Sequence, residues 1–283
     1  MGKQRLDLLL VEQGYAESRS QANRLIRAGL VRLGDQVVDK PGMRLPEDCV
    51  LVLTERPRYV SRGGEKLAAA LERFELDVSG VIAADVGAST GGFTDCLLQH
   101  GAAKVYAIDV GYGQLAWSLR NDVRVVVMER TNARYLTALP EMVDLATFDV
   151  SFISLQLVVS AAVEWLKPDG QIVALIKPQF EAGRRDVGKG GVVRDSDVHE
   201  RVLNDVVGEA ASLGLGLRGL MVSPLKGPSG NIEFLGWWHL RDDLVNRENE
   251  IAQAMDQSED LRPRVSLENT VSDGGNIGSG EHS

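Results

Sequence analysis

Short apolar runs of strand length alternate with segments of helical spacing between about residues 64 and 240. The strand-length runs are, in chain order, Val81–Asp85, Lys104–Asp109, Arg124–Met128, Leu145–Phe148 and Gln171–Ile176. Helical patterns such as Gly92–Gln99 and Ser154–Trp165 lie between them. This alternation predicts a parallel, doubly wound sheet, because strands that pair in parallel need a crossover connection, which is usually a helix.

Two further runs follow a helix that we predict over Asp197–Leu213. These runs, Leu217–Val222 and Ile232–His239, are close enough in sequence to pair as an antiparallel hairpin at the edge of the sheet. The predicted fold is therefore α/β, with a Rossmann-like, doubly wound sheet of seven strands whose last hairpin is antiparallel.

The first 58 residues have a different pattern and predict a small, separate α+β domain. Arg5–Gln13 and Ser18–Ala28 have helical apolar spacing, and Leu30–Leu33, Val37–Val38 and Val50–Leu53 are short β-branched runs. We expect a linker over residues 59–64 and the sheet domain over residues 65–241. Residues 242–283 are acidic and end in a Gly/Ser-rich stretch, so we expect them to be disordered.

Composition excludes several classes of protein. The apolar runs are far shorter than the roughly 20 residues of a membrane-spanning helix, and the charged N-terminus is not a secretory signal. Cys49 and Cys96 are the only cysteines and have no metal-ligand spacing, so we expect a reduced, cytoplasmic protein without a metal. The net charge is −9, but residues 1–65 hold 11 Lys and Arg against 9 Asp and Glu, so an RNA partner is not excluded.

The strongest local motif is the segment DVGASTGGF, residues 85–93, which follows a predicted strand and opens a helix. Small residues there let a nucleoside approach the backbone, and Asp109, 24 positions after Asp85, can accept the hydroxyls of a ribose. We interpret the motif as a site for S-adenosylmethionine, against the alternatives of a dinucleotide site or a tight turn without a ligand. The candidate cofactor-binding residues are Asp85, Gly87, Ser89, Gly91, Gly92, Phe93, Asp109, Asn132 and Asp149.

Four charged residues are further candidates for the site. Asp149 and Lys177 each end a predicted strand, at the sheet edge where ligands bind in such folds. Glu233 lies among apolar residues, and Lys66 begins an amphipathic helix. Taken singly, each has an ordinary alternative, such as a lysine at the rim of a sheet or a carboxylate in water.

Together, these segments resemble the TlyA family of S-adenosylmethionine-dependent ribosomal RNA 2′-O-methyltransferases, often labelled haemolysin A. The matching segments are RLDLLLVEQG, SRSQANRLIRAGLV and VVDKPGMRL, which look like the alpha-L RNA-binding motif of ribosomal protein S-four type, and then YVSRGGEKL, DVGASTGGFTD, YAIDVG, FDVSFIS, LIKPQFE and GNIEFL. The resemblance covers about residues 3–240. It implies an FtsJ-like methyltransferase domain with a catalytic tetrad, which would be Lys66, Asp149, Lys177 and Glu233. It also implies a cytidine of ribosomal RNA as the target, in the large subunit, the small subunit or both, with the large subunit favoured.

The residue types suit methylation of a ribose hydroxyl. Lys177 would stabilise or generate the alkoxide, Lys66 would help to hold the hydroxyl, Glu233 would set the charge of the lysines, and Asp149 would orient the methionine end of the cofactor. The chain lacks the Asn/Asp-Pro-Pro-aromatic loop of base methyltransferases after the fourth strand. We expect RNA phosphates to be bound by Arg5, Arg19, Arg24, Arg27, Arg32, Lys40, Arg44, Arg62, Arg184, Arg185 and Lys189, although any one of these residues could instead belong to a solvated face or a surface loop.

Two other functions remain as alternatives at this point. A membrane-active haemolysin is suggested only by the family's older label. A non-enzymatic RNA-binding regulator with a relic methyltransferase fold would not need the four charged residues of the tetrad.

Overall fold

The structure, a computed structural model, describes residues 2–27, 29–34, 36–54, 57–241 and 247–261. The chain divides into two compact units, Met1–Ser61 and Arg62–Ser283. Each unit has its own hydrophobic core.

The first unit combines short strands with two helices. Its elements are β1 (Lys3–Arg5), α1 (Leu6–Glu12), α2 (Arg19–Arg27), β2 (Val31–Leu33), β3 (Gln36–Val37), β4 (Arg44–Pro46) and β5 (Leu51–Leu53). Strand β2 lies between β3 and β5, and β1 pairs with β4. Leu6, Leu9 and Leu10 of α1 pack with Ala22 and Ile26 of α2 in the core, so each helix buries one apolar stripe.

The second unit contains the larger sheet. Its elements begin with α3 (Arg62–Arg73), β6 (Ile82–Val86), α4 (Gly92–Gln99), β7 (Lys104–Ile108), α5 (Trp117–Arg120), β8 (Val125–Met128) and β9 (Val143–Phe148). They continue with α6 (Leu155–Ala162), β10 (Leu166–Ile176), α7 (Pro178–Glu181), α8 (Ser196–Ser212), β11 (Leu215–Val222), β12 (Phe234–Leu240) and α9 (Arg247–Glu259). Short 3-10 helices lie at Ala133–Tyr135 and Val163–Trp165.

The sheet confirms the predicted fold class. In the part of the chain that the structure describes it has seven strands, in the order β11-β12-β10-β9-β6-β7-β8. Strands β6 to β10 pair in parallel, and β12 runs antiparallel to β10 and β11. Parallel strands that are covered on both faces need apolar side chains on both, and Val105–Ile108 of β7 are accordingly buried.

The strand order reverses between β6 and β9. The chain builds outward from β6 through β7 to β8, then returns to place β9 on the other side of β6. Ligands of open α/β sheets bind in the crevice outside the carboxyl ends of the strands at such a point. The ends of β6 and β9 therefore position the candidate site.

Residues 247–261 differ from our expectation of disorder after residue 241. Helix α9 buries Ile251, Ala254 and Ser258, which are spaced at three and four residues and form one face. Glu250 and Gln257 of this helix accept hydrogen bonds from the backbone N–H groups of Leu220 (3.1 Å) and Val222 (3.4 Å), so α9 covers the edge strand β11. Residues 242–246 and 262–283, to which the prediction of disorder also applied, lie outside the described residues.

Two shorter predictions are also corrected. Helix α3 begins at Arg62, inside the linker that we predicted over residues 59–64, and its first turn includes Gly63 and Gly64. Strand β10 begins at Leu166, before the predicted Gln171, and its register on β9 shifts between these two residues. In both places glycine or proline made the local sequence a poor indicator of a helix or a strand, although contacts with the rest of the fold stabilise the element. In the described residues, no helix is long and apolar enough to cross a membrane.

Candidate active site

The loop between β6 and α4 depends on a glycine at its first turn. Gly87 has a φ of +84°, and a Cβ at this position would lie 2.7 Å from the backbone oxygen of Asp149. Gly87 and Ala88 donate their backbone N–H groups to the oxygen of Ile108. Only glycine fits here without strain, and the fit brings the loop against the end of β9.

Asp85 lies beneath this loop and is fully buried. One of its oxygens accepts hydrogen bonds from the backbone N–H of Thr94 (2.9 Å) and from the Thr94 hydroxyl (2.6 Å). Burial raises the pKa of the Asp85 carboxyl to about 7, although the hydrogen bonds from Thr94 act in the opposite direction. Asp85 thus joins the end of β6 to the first turn of α4.

Asp109 directly follows β7, and its carboxylate holds the same loop from the other side. Its two carboxylate oxygens accept the backbone N–H groups of Ser89 (2.7 Å) and Gly111 (2.6 Å). Each oxygen has a second lone pair with which it can accept a ligand hydroxyl. Asn132 accepts the backbone N–H of Arg134 and caps the short 3-10 helix that follows β8.

A cleft of about 470 Å³ opens over the carboxyl ends of β6, β7, β8 and β9, within the size range of small-molecule sites. Five of the predicted cofactor-binding residues line it: Gly87, Ser89, Asp109, Asn132 and Asp149. The other four, Asp85, Gly91, Gly92 and Phe93, are not among the lining residues. Gly91 has a φ of +97° and precedes the first residue of α4, whereas Gly92 and Phe93 are buried within that helix. These four residues shape the loop and do not face the cleft.

Several lining residues were not singled out from the sequence. They are Val86, Ile108, Val110, Gln114, Thr131, Ala133, Val150, Ser151, Phe152, Ile153 and Val158. All except Gln114 and Val158 lie at, or shortly after, the ends of β6, β7, β8 or β9. The rule that ligands lie at the carboxyl ends of strands was therefore enough to indicate them.

Lys177 and Asp149 form an ion pair at the edge of this cleft. Lys177 Nζ lies 2.7 Å from Asp149 Oδ1 and donates a hydrogen bond to Ser151 Oγ at 2.9 Å. Lys177 is buried, and Asp149 is partly exposed and lines the cleft. An ammonium group has three protons, so these two contacts leave one N–H of Lys177 for a further acceptor.

Lys66 and Glu233 form a second, deeper ion pair. Lys66 Nζ lies 2.5 Å from Glu233 Oε2, and both residues are buried. Gln179, two residues after Lys177, donates to the other oxygen of Glu233 at 3.3 Å. Gln179 therefore connects the Lys66–Glu233 pair to the segment that holds the Lys177–Asp149 pair. The structure gives each lysine its own acid, whereas we expected Glu233 to act on both lysines.

Further contacts hold the segments after β9 and β10 together. The rings of Phe152 and Phe180 are 4.9 Å apart, and Phe152 is 90% exposed with a φ of +65°. The carboxylate of Glu181 accepts the backbone N–H of Leu155 at the start of α6, and burial raises its pKa. Together with the Lys177–Asp149 pair, these contacts fix the two segments side by side.

The predicted RNA-binding residues lie on both units. In the first unit, Arg24, Arg27, Lys40 and Arg44 are exposed, Arg32 is half-buried on β2, and Arg5 and Arg19 both bind the carboxylate of Asp7. In the second unit, Arg184, Arg185 and Lys189 are exposed in the segment after α7. Arg62, also exposed, donates to the backbone oxygen of Lys226 at 2.8 Å. The described residues contain no group of three or more His, Cys, Asp or Glu that could hold a metal ion.

Two family models match the chain. The FtsJ-like methyltransferase model matches residues 59–239, and the S4 domain model matches residues 4–48. The first match covers more than half of the chain. It includes both ion pairs and the cleft.

Curated relatives extend over most of the chain. The 16S/23S rRNA (cytidine-2′-O)-methyltransferase TlyA of Mycobacterium tuberculosis is 51% identical over 243 residues, which are 84% of this chain and 91% of the relative. Hemolysin A of Brachyspira hyodysenteriae is 43% identical over 82% of this chain and 98% of its own length. A solved structure of a candidate hemolysin from Streptococcus thermophilus is 45% identical, has a TM-score of 0.69 and covers 92% of this chain and 98% of that one.

Proposed function

Because this chain belongs to the TlyA family of FtsJ-like methyltransferases, we propose that it transfers a methyl group from S-adenosylmethionine to a ribose 2′-hydroxyl of ribosomal RNA. The observation that carries the proposal is the Lys177–Asp149 pair at the edge of a cleft at the switch point of the sheet, with a second, buried pair, Lys66–Glu233, connected to the same segment through Gln179. The target class comes from the Mycobacterium tuberculosis relative, which is named for methylation of cytidine in 16S and 23S rRNA.

The residues of the cleft fit S-adenosylmethionine. Gly87 leaves no side chain between the loop and the end of β9, and Asp109 offers carboxylate oxygens to the hydroxyls of a ribose. Ile108, Val110 and Ala133 supply apolar surface for a base. When bound, S-adenosylmethionine supplies a methyl group on a positively charged sulfur. The carboxylate of Asp149 lies where it can hold the positively charged end of that molecule.

Lys177 is the residue best placed to act on the hydroxyl. Its ion pair with Asp149 and its hydrogen bond to Ser151 fix its position, and its remaining N–H can donate to the ribose 2′-oxygen. An ammonium group so placed stabilises the negative charge that develops on the oxygen as the hydroxyl proton passes to solvent water. Asp149 and Ser151 hold Lys177 in one orientation, and correct positioning contributes much of the rate in such transfers.

Lys66 and Glu233 form the support of the site. A buried ammonium is costly unless it is paired, and Glu233 supplies the counter-charge of Lys66. Gln179 fixes the second oxygen of Glu233 and thereby the direction in which Lys66 lies. We propose that Lys66 helps to hold the hydroxyl while Lys177 stabilises its alkoxide.

RNA binding is assigned to the S4 domain and to the basic segment after α7. The exposed Arg24 and Arg27 of α2 can contact phosphates and read the shape of folded RNA more than its sequence. Arg184, Arg185 and Lys189 follow Lys177 closely in the chain, so they can hold RNA near the reacting ribose. Since the substrate belongs to the ribosome, we place the protein's activity in the cytoplasm.

The test is to incubate the purified protein with separate 30S and 50S ribosomal subunits and S-adenosylmethionine carrying a labelled methyl group. We expect label in a 2′-O-methylcytidine, identified by mass spectrometry of nucleosides from the product. Blocking the 2′-oxygen prevents it from attacking the adjacent phosphate, so the modified linkage should resist alkali. A methyl group on a base, or no label on either subunit, would contradict the proposal, and the labelled subunit identifies the target.

A further inference from the structure

One buried carboxylate in the first unit holds two arginines. Asp7, on α1, is only 1% exposed. Arg5 binds both of its oxygens, with Nε 2.9 Å from Oδ1 and Nη2 3.0 Å from Oδ2. Arg19 Nη2 lies 2.8 Å from Oδ2. The two guanidinium groups come from different elements, since Arg5 ends β1 and Arg19 begins α2.

The backbone around Asp7 is fixed as well. The N–H of Asp7 donates to the backbone oxygen of Pro41, and the N–H of Leu6 donates to that of Met43. A Cβ on Gly42 would lie 3.5 Å from Arg5 Nη1, so the guanidinium of Arg5 rests beside this turn. The carboxylate that binds the arginines therefore has a fixed position in the unit.

The arginines themselves remain accessible. The side chains of Arg5 and Arg19 are 43% and 57% exposed, although the carboxylate between them is buried. Arg5 uses its Nε–Nη2 edge on Asp7 and Arg19 uses a single Nη2, so N–H groups of both remain for a partner. Because two positive charges share one negative charge, the cluster keeps a net charge of +1.

Asp7 stays ionised in this setting. Hydrogen bonds from Arg5 hold the pKa of the Asp7 carboxyl well below its usual range, although burial acts against them. The carboxylate is therefore present at any pH at which the protein would work. An exposed ion pair orders its side chains only weakly, whereas a buried carboxylate is a fixed anchor.

We propose that Asp7 is a positioning residue for RNA binding, which orients Arg5 and Arg19 in advance as the two arms of one phosphate-binding site. The planar guanidinium group matches a phosphate by paired hydrogen bonds, but a free arginine must lose much side-chain freedom to make them. Anchoring both arms before RNA arrives reduces that cost. This inference rests on the RNA binding proposed above for the first unit.

The substitution Asp7→Asn tests the proposal, because its effect on charge and its effect on the position of the arginines should change RNA affinity in opposite directions. Removing a negative charge from an RNA-binding surface should by itself strengthen binding to the phosphate backbone. Loss of the anchor should instead weaken binding, and we expect about a tenfold weaker affinity for protein-free 23S rRNA at fixed salt. The matched control is Asp39→Asn, which removes an exposed carboxylate from the same unit and should leave the affinity equal or higher.

A second measurement reports the positioning directly. In the full-length protein, the Nε–H proton of Arg5, which donates to Asp7, should be slow to exchange by NMR, and it should lose this protection in Asp7→Asn. The substitutions Arg5→Lys and Arg19→Lys keep the charge but remove the planar guanidinium group, and each should weaken RNA binding several-fold. If circular dichroism shows that Asp7→Asn does not fold, the two lysine substitutions become the test of the proposal. Unchanged RNA affinity in both variants would overturn it.

The remaining outcomes separate this proposal from the one it rests on. A folded Asp7→Asn that binds RNA as tightly as the wild type would refute the positioning role, provided that Arg24→Ala with Arg27→Ala weakens binding. If that double replacement also has no effect, the first unit does not bind RNA, and the proposed function of this unit fails instead.

Discussion

The ammonium of Lys177 and the carboxylate of Asp149 meet at 2.7 Å although they directly follow two different strands, β10 and β9. The parallel pairing of these strands brings their carboxyl ends to one edge of the sheet, so the fold itself creates the pair. Ser151, from the turn after β9, gives Lys177 its second hydrogen bond.

Replacing Lys177 by alanine should lower methyl transfer by at least about 100-fold, because the group that stabilises the alkoxide is lost. Binding of S-adenosylmethionine should change little, since Asp149 remains in the cleft. Calorimetry and a labelled-methyl assay measure the two quantities separately. Lys167→Ala is the control, because Lys167 pairs with Asp144 away from the cleft. Turnover of Lys177→Ala within a few-fold of the wild type would remove Lys177 from the proposed mechanism.

Substitutions in the Lys66–Glu233 pair should affect stability and activity differently. Glu233→Gln leaves a buried ammonium without its counter-charge, and we expect the free energy of unfolding to fall by about 3 kcal/mol. The double replacement Lys66→Met with Glu233→Leu removes both charges and should recover most of that loss, because apolar side chains can fill the same space. Urea unfolding measures this recovery. The double variant should nevertheless be inactive, and an active one would show that the pair is only structural.

Asp85 should make the stability of the protein depend on pH. Its pKa is raised to about 7 in the folded state, against about 3.9 in an unfolded chain. The folded state therefore binds a proton more tightly, and the contribution of this group to stability falls as pH rises from about 4 to about 7. In Asp85→Asn this contribution is absent, so the wild type should lose stability relative to the variant between pH 5 and pH 7, by on the order of 2 kcal/mol. Urea unfolding at several pH values measures this change. A difference in the free energy of unfolding between the two proteins that stays constant with pH would contradict the prediction.

Asp109 and Gly87 should both be needed for the cofactor, but for different reasons. Asp109→Asn turns an amide N–H toward a backbone N–H of the loop and removes a carboxylate from the cleft, so we expect at least about tenfold weaker binding of S-adenosylmethionine. The control Asp169→Asn changes an exposed residue early in β10 and should bind normally.

Gly87→Val should weaken cofactor binding together with stability. Its Cβ would collide with the backbone of Asp149, and its φ is unfavourable for a β-branched residue. From the sequence, we expected such a side chain to occupy the space of the nucleoside. Thermal unfolding distinguishes these causes, because a variant of normal stability that fails to bind would support the original interpretation.

The fold was predictable because a buried parallel strand has a continuous run of apolar residues, such as Gln171–Ile176. Such a run can be recognised from the local sequence alone. Strands β1 and β4 were missed because each has only three residues, too few for a pattern to show, and exists only through pairing between Lys3–Arg5 and Arg44–Pro46. The residues of the tetrad followed from family resemblance, but their pairing did not. Lys66 and Glu233 are far apart in the sequence, so only the folded chain shows that Glu233 faces Lys66 and Gln179.

Helix α9 has a practical consequence for anyone who wishes to express the methyltransferase domain alone. The family model ends at residue 239, yet β11 stands at the open edge of the sheet, and Glu250 and Gln257 of α9 occupy two of its N–H groups. A fragment cut at the end of the family match would expose that edge to strands of neighbouring molecules, which is a common route to aggregation. Fragments that extend through Leu261 should therefore stay monodisperse at concentrations at which the shorter ones precipitate.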